Sequence, residues 1–242
     1  MINYKEKLKR IIRKIRYVIS IIKSINKGSG NKKCSCCGYE GSFETVGNPP
    51  RYGALCPNCG SYERHRLLAL SNKKHNFFQN KRVLHFAPES VVTKLVKDTA
   101  SNYVTADIVD GRADRILNIE KIDDLDNQWD VIICSHVLEH VDDKKALSEL
   151  YRVLRNNGVL IVMVPIVEGW KHTYENENVR TESDREIHYG QNDHVRYYGS
   201  DIRERISLQG FLIEEDTAYG EDIVIYGLLR GETVFICRKS EN

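Results

Sequence analysis

No stretch of this sequence approaches the roughly 20 consecutive apolar residues that span a bilayer. Its charge-free runs are short, Asn156 to Val167 being an example, and a membrane-spanning protein is excluded. Proline is scarce, with five residues in 242, and glycine is ordinary, which excludes collagen-like and low-complexity chains. The N-terminus is not expected to be a secretory leader. Tyr17 to Ile22 is short for its apolar core, Lys23 interrupts it, and no small-residue cleavage site follows, so the chain is expected to be cytoplasmic and unprocessed. An excess of either charge is also nearly absent, at a net +2, but this balance hides a division: residues 1–33 carry +10 and the remainder −8. Opposite charge on two parts of one chain points to two kinds of partner.

The basic part has a pattern. Leu8, Ile11, Ile12, Ile15, Val18, Ile19, Ile22 and Ile25 recur at helical steps, which predicts a helix over 4–26 with one apolar stripe. Lys5, Lys9, Arg10, Arg13, Lys14 and Arg16 occupy the other face, a composition suited to an anionic membrane interface. Docking on the protein's own body or on a second subunit is the alternative. Nucleic acid is disfavoured, because an Ile-rich stripe buries apolar surface rather than tracking phosphates. Gly28-Ser29-Gly30-Asn31 reads as a linker.

Cys34-x-x-Cys37 and Cys56-x-x-Cys59 are separated by 18 residues, and each pair is followed by glycine. Four thiolates at this spacing form a zinc site with no open coordination position, so the expected Zn2+ is structural. It staples a ribbon too small to fold unaided, or alternatively one that recognises substrate. The ribbon and a connecting helix from Ser61 to Leu68 occupy 34–80, and a larger unit covers 81–242.

In the larger unit, the apolar runs Val83–Phe86, Tyr103–Ala106, Val131–Cys134 and Val159–Val164 alternate with helical patterns, which indicates an α/β fold with a parallel sheet covered on both faces. Asp142 or Asp143 caps a helix that carries Leu147, Leu150 and Leu154 and ends near Asn157-Gly158. Ligands of such sheets bind at the carboxyl ends of the strands. There the sequence places Ala87-Pro88-Glu89, Asp107 and Ser135-His136. Asp107 is suited to a ribose diol, because a carboxylate accepts both hydroxyl protons. No glycine-rich turn for a pyrophosphate follows the first strand, which weighs against NAD or FAD.

The run from Trp129 to Val141, with Ala146-Leu147-x-Glu149-Leu150-x-Arg152-Val153-Leu154 beyond it, resembles class I S-adenosylmethionine-dependent methyltransferases, closest to the type 11 group. The cysteine ribbon, His85-Phe86-Ala87-Pro88-Glu89, His136-Val137-Leu138-Glu139-His140 and Gln191-x-Asp193-His194-Val195-Arg196-x-Tyr198-Gly199 together look like a subgroup of that family. The resemblance implies a Rossmann-like sheet of seven strands, mostly parallel with an antiparallel last strand, and the final two strands are expected at Phe211–Ile213 and Thr233–Cys237. It further implies S-adenosyl-L-methionine as cofactor. Phe86 and Ala87 would stand at the first turn, Glu89 at the cofactor's amino group, Asp107 at the ribose, Asn118 and Ile119 beside the adenine, and Ser135 and His136 lining the site. The family's glycine-rich loop is replaced here by His85 to Glu89.

Residues 166–199 form an insertion far longer than ordinary connections, and it is the expected acceptor wall. His194 is the candidate base with Asp193 orienting it, His140 the competing base, and Arg196 a clamp for phosphate or carboxylate. The same residues would alternatively tie down the insertion through hydrogen bonds. The leading expectation is methyl transfer to a saccharide, glycolipid or small polar acceptor at the inner membrane face. The alternatives are an RNA methyltransferase, disfavoured by the acidic body, and a non-catalytic scaffold.

Overall fold

A computed structural model describes residues 4–26, 30–47 and 49–239. The chain begins with α1 (Tyr4–Asn26). The ribbon follows as two small antiparallel hairpins, β1 (Lys32–Lys33) with β2 (Glu40–Gly41), and β3 (Glu44–Val46) with β4 (Arg51–Leu55). Next come α2 (Glu63–His75), β5 (Arg82–Phe86), α3 (Ser90–Lys97), β6 (Asn102–Asp107), β7 (Arg115–Ile116) and β8 (Trp129–Ser135). The remainder is α4 (Asp143–Val153), β9 (Leu154–Met163), α5 (Glu182–Tyr189), α6 (Ile202–Ser207), β10 (Phe211–Thr217), α7 (Asp222–Tyr226) and β11 (Thr233–Lys239).

Seven strands form one sheet in the order β7-β6-β5-β8-β9-β11-β10. The last strand, β11, runs antiparallel to both of its neighbours, while β5, β6, β7, β8 and β9 pair in parallel. Side chains of successive strand residues point to opposite faces, and the strands divide accordingly. Leu84, Phe86, Ile132, Cys134, Leu160 and Val162 pack with Ala146, Leu147 and Leu150 of α4. Val83, Val131, Ile133, Val159 and Ile161 pack with Leu67 and Leu68 of α2 and Val92 and Val96 of α3. Continuous apolar runs are what a parallel sheet buried on both faces requires.

Asp142 caps α4 by accepting from the Lys145 backbone N–H at 3.3 Å. The helix ends at Val153, earlier than the sequence suggests, because Leu154 turns to extended backbone and already pairs with Trp129. Asn157 then takes a left-handed conformation, φ +60°, within the irregular start of β9.

The stripe of α1 is not buried against the rest of the described chain: Leu8, Ile11, Ile12, Ile15, Val18, Ile19 and Ile22 are each 42–53% exposed. The side chains of Lys5 and Ile25, and the linker positions Gly28 and Ser29, lie outside the described residues. No described helix is long and apolar enough to cross a membrane.

Arg66 of α2 is fully buried. Arg66 donates to the carbonyls of Ala54, Ser61, Tyr226 and Gly227, at 2.6–3.0 Å, and its guanidinium lies 4.6 Å from the Phe43 ring centroid. One side chain thus joins the ribbon, α2 and the end of α7, and its hydrogen bonds compensate the desolvation of the charge.

Candidate active site and zinc ribbon

The four ribbon cysteines converge. Their sulfurs lie within 4.8 Å of one another, with Cys34 to Cys59 at 3.6 Å and Cys37 to Cys56 at 3.8 Å. Tetrahedral zinc with bonds of about 2.3 Å requires sulfur separations of about 3.8 Å, so the donor set fits the ion. Gly38 and Gly60, at φ +76° and +73°, donate to the carbonyls of Cys34 and Cys56 at 2.8 and 2.9 Å and so close the two knuckles. Asn58 and Ser61 contact the Cys37 and Cys34 sulfurs, the outer support that thiolate ligands need. Cys36 points elsewhere, donating to the His65 carbonyl.

In the sheet, the chain passes from β5 to β6 on one side and returns to β8 on the other. This switch point leaves a crevice at the strands' carboxyl ends. A cavity of about 370 Å³ lies there, lined by Phe86, Ala87, Asp107, Asn118, Ile119, His136, Val137, His140, Val141 and Asp193, among others. Asp107 ends β6 and accepts from the Val109 N–H through Oδ1. Ala87 replaces a glycine in function as well as position: it adopts φ +47°, and its N–H donates to the Ala106 carbonyl at 2.8 Å. A carboxylate at the second strand's end, a tight first turn and the apolar walls Leu117, Ile119 and Val141 fit S-adenosylmethionine, which has a ribose and an adenine but no phosphate.

Two of the expected cofactor residues stand outside this lining. Ser135 is buried at the last position of β8. Glu89 forms an ion pair with Arg64 and lies 2.9 Å from His65 Nε2. Burial would raise the Glu89 carboxyl, but the hydrogen bonds and charges of His65 and Arg64 hold it at about 2.

The insertion is fastened to the turn after β8. The Val195 N–H donates to the Glu139 carbonyl at 2.9 Å, and Arg196 donates to the carbonyls of Leu138 and Val141 and to the Glu175 carboxylate. With those bonds made, the guanidinium expected as an anion clamp is engaged inside the protein. The fastening brings His194 edge-on to His140, ring centroids 4.6 Å apart. Asp193, expected to orient His194, instead stands 3.3 Å from Nδ1 of His140. His194 is buried, which lowers its pKa and keeps the imidazole neutral. Beside them, His136 at φ +55° contacts Glu139 Oε1 through Nδ1 at 3.1 Å.

A second cavity, of about 250 Å³, also has His136 in its lining. Arg51 of the ribbon, Glu63 and Arg64 of α2, Pro165, Ile166 and Tyr197 of the insertion and its flank, and Leu229 to Thr233 line it. Sequence reasoning missed Arg51 and the 229–233 segment, because no local motif marks either.

Residues 87–162 match the family described as a methyltransferase domain. Residues 87–162 carry a methyltransferase domain. Among solved structures, the methyltransferase is similar to the 1,6-didemethyltoxoflavin-N1-methyltransferase of Burkholderia thailandensis, at 12% identity and a TM-score of 0.52, over 74% of this chain and 79% of that one. It is also similar to the cyclase SpnF, at 13% identity and a TM-score of 0.54, over 74% and 82% of the two chains. At such identities the likeness concerns the fold. An uncharacterized protein of Methanocaldococcus jannaschii is 54% identical over 39 residues, 16% of this chain, and the match spans 17% of that relative's length. The family match stops before the insertion and excludes the ribbon, so the walls of the second cavity, apart from His136, lie outside the matched residues.

Proposed function

We propose that this methyltransferase transfers a methyl group to a hydroxyl of a saccharide, a glycolipid or a comparably small polar acceptor. The observation that carries the reading is the second cavity: it is small, it carries Arg51, Glu63, Arg64, Arg230, Glu232 and Thr233, and it shares His136 with the cofactor cavity. Such a wall offers donors and acceptors in several directions, as a polyhydroxylated unit needs. S-adenosylmethionine, when bound, supplies an electrophilic methyl group. The chain's own part is to position the acceptor and manage its proton. Asp107 receives the ribose diol, and Phe86, Ala87, Asn118 and Ile119 border the adenosyl region. His140, held by Asp193, and His194, packed edge-on against it, are the imidazoles next to the cavity. Arg196 holds the insertion in place for them.

The ribbon zinc is structural in this reading, because all four of its positions are taken by sulfur. The exposed stripe of α1, with its basic opposite face, supports a peripheral contact with an anionic inner membrane face. The acidic charge of the remaining chain argues against RNA as substrate.

The test is transfer of radiolabelled methyl from S-adenosylmethionine into fractionated extract, followed by separation of glycan, lipid, protein and RNA. Label in glycan or lipid that resists base, as an ether does, is the expected result. Label confined to RNA, with affinity surviving deletion of residues 1–30, would reverse the assignment of acceptor.

A further inference from the structure

We propose that Glu139, His140 and His194 form a binding site for a divalent first-row transition cation, separate from the ribbon cysteines. One donor atom from each of the three lies within 4.8 Å of the other two. Two imidazoles and one carboxylate suit Mn2+, Fe2+, Co2+ or Zn2+.

The surroundings supply a second observation. Glu139 is 1% exposed, and while His136 holds its Oε1, Oε2 is buried without a hydrogen-bond partner. Among the described residues, its one ion pair is with His136. A buried carboxylate oxygen lacking a donor is unfavourable, and a cation bound by that oxygen would remove the cost. Metal-ligating histidines usually present their second nitrogen to a carboxylate, and Asp193 stands in that relation to Nδ1 of His140, leaving Nε2 as the ligand atom. The bonds from Val195 to Glu139 and from Arg196 to Leu138 and Val141 fix the spacing of the two chain segments that contribute ligands.

His140 borders the cofactor cavity and neighbouring His136 borders both cavities, so the ion would stand beside the acceptor. For its chemical role the proposal rests on the reading of the acceptor as a hydroxyl. The cation accepts the oxygen's lone pair and lowers its pKa, as metals do for water. The O–H bond then breaks with its electron pair left on oxygen, and the proton passes to solvent. His140 and His194 act through the ion in this arrangement instead of taking the proton themselves.

The test is titration of the full chain, zinc-loaded in the ribbon, with Mn2+ in the absence of cofactor, following the paramagnetic resonance of free Mn2+. Thiolates favour zinc over manganese, so the ribbon does not compete. Saturable binding of Mn2+ is expected, weakened about tenfold or more in Glu139→Gln and in His194→Ala, with zinc content and S-adenosylhomocysteine binding retained as controls for folding. His140→Ala, at a half-exposed position, gives the same result should a buried variant not fold. No saturable Mn2+ binding, or equal binding by all variants, overturns the site. Failure of the hydroxyl reading would show separately, as saturable Mn2+ binding without labelled glycan or lipid.

Discussion

Replacing Glu89 by glutamine separates an ion pair that holds α2 to the sheet from a contact to the cofactor. The side chain is 25% exposed and meets Arg64 and His65 of α2. Its carboxyl is held at about 2, against 4.5 for a free glutamate, and that difference corresponds to about 3 kcal/mol of folding free energy at neutral pH. Because the folded value is the lower one, this stabilisation is complete above the free value and disappears as pH falls toward the folded one. Glutamine keeps an acceptor for Arg64 but loses the charge, so a loss of about 1–3 kcal/mol is expected, a fall in Tm of roughly 2–12 °C at this chain length. The assay is thermal and urea unfolding of wild type and variant at pH 7 and at pH 3, paired with calorimetric titration of S-adenosylhomocysteine. The two proteins should differ at pH 7, and the difference should shrink to less than half at pH 3, with cofactor affinity changed by less than about threefold. Unchanged stability at pH 7 together with a tenfold or larger loss of cofactor affinity would refute the reasoning and return Glu89 to the cofactor.

Other perturbations address the remaining parts. Asp107→Ala should weaken S-adenosylhomocysteine binding by about 10- to 100-fold in calorimetry, the worth of a charged hydrogen-bond pair, while the Tm of the unliganded protein stays within about 2 °C. Cys56→Ser should abolish stoichiometric zinc by elemental analysis and lower the Tm, and because Arg51 of the ribbon lines the second cavity, turnover should fall more than cofactor affinity. Deleting residues 1–30 should abolish co-sedimentation with vesicles of anionic lipid and leave cofactor binding unchanged. Equal sedimentation of the intact chain with neutral vesicles would argue against an electrostatic contribution from its basic face.

The readable parts of this protein are those written in short-range patterns. Val131 to Cys134 and Val159 to Val164 read as buried strands because a sheet covered on both faces demands unbroken apolar runs. Asp142 or Asp143 reads as a cap because a carboxylate before a helix satisfies a free N–H, and the structure gives the role to Asp142. The cysteine pairs read as a metal site because two knuckles with their glycines specify the local geometry. Asp107 was legible for a related reason, as an acid at the carboxyl end of a strand. The end of α4 was not, since the pairing of Leu154 with Trp129 on another strand overrides the local signal of Asn157-Gly158.

The sequence by itself therefore determined the sheet, the ribbon and the acid at the end of β6, because each depends on neighbours within one turn or one strand. Only the tertiary structure decided which partners the charged groups have. Arg66 becomes a buried link because the ribbon and α7 close around it. Glu89 turns to α2, and Asp193 to His140 instead of to the adjacent His194. Glu139, His140 and His194 meet because the insertion folds back onto the turn after β8. Charges separated widely along the chain find one another only after the order of strands and the path of the loops have set their distances, and at hydrogen-bond range an ångström decides which pairing prevails.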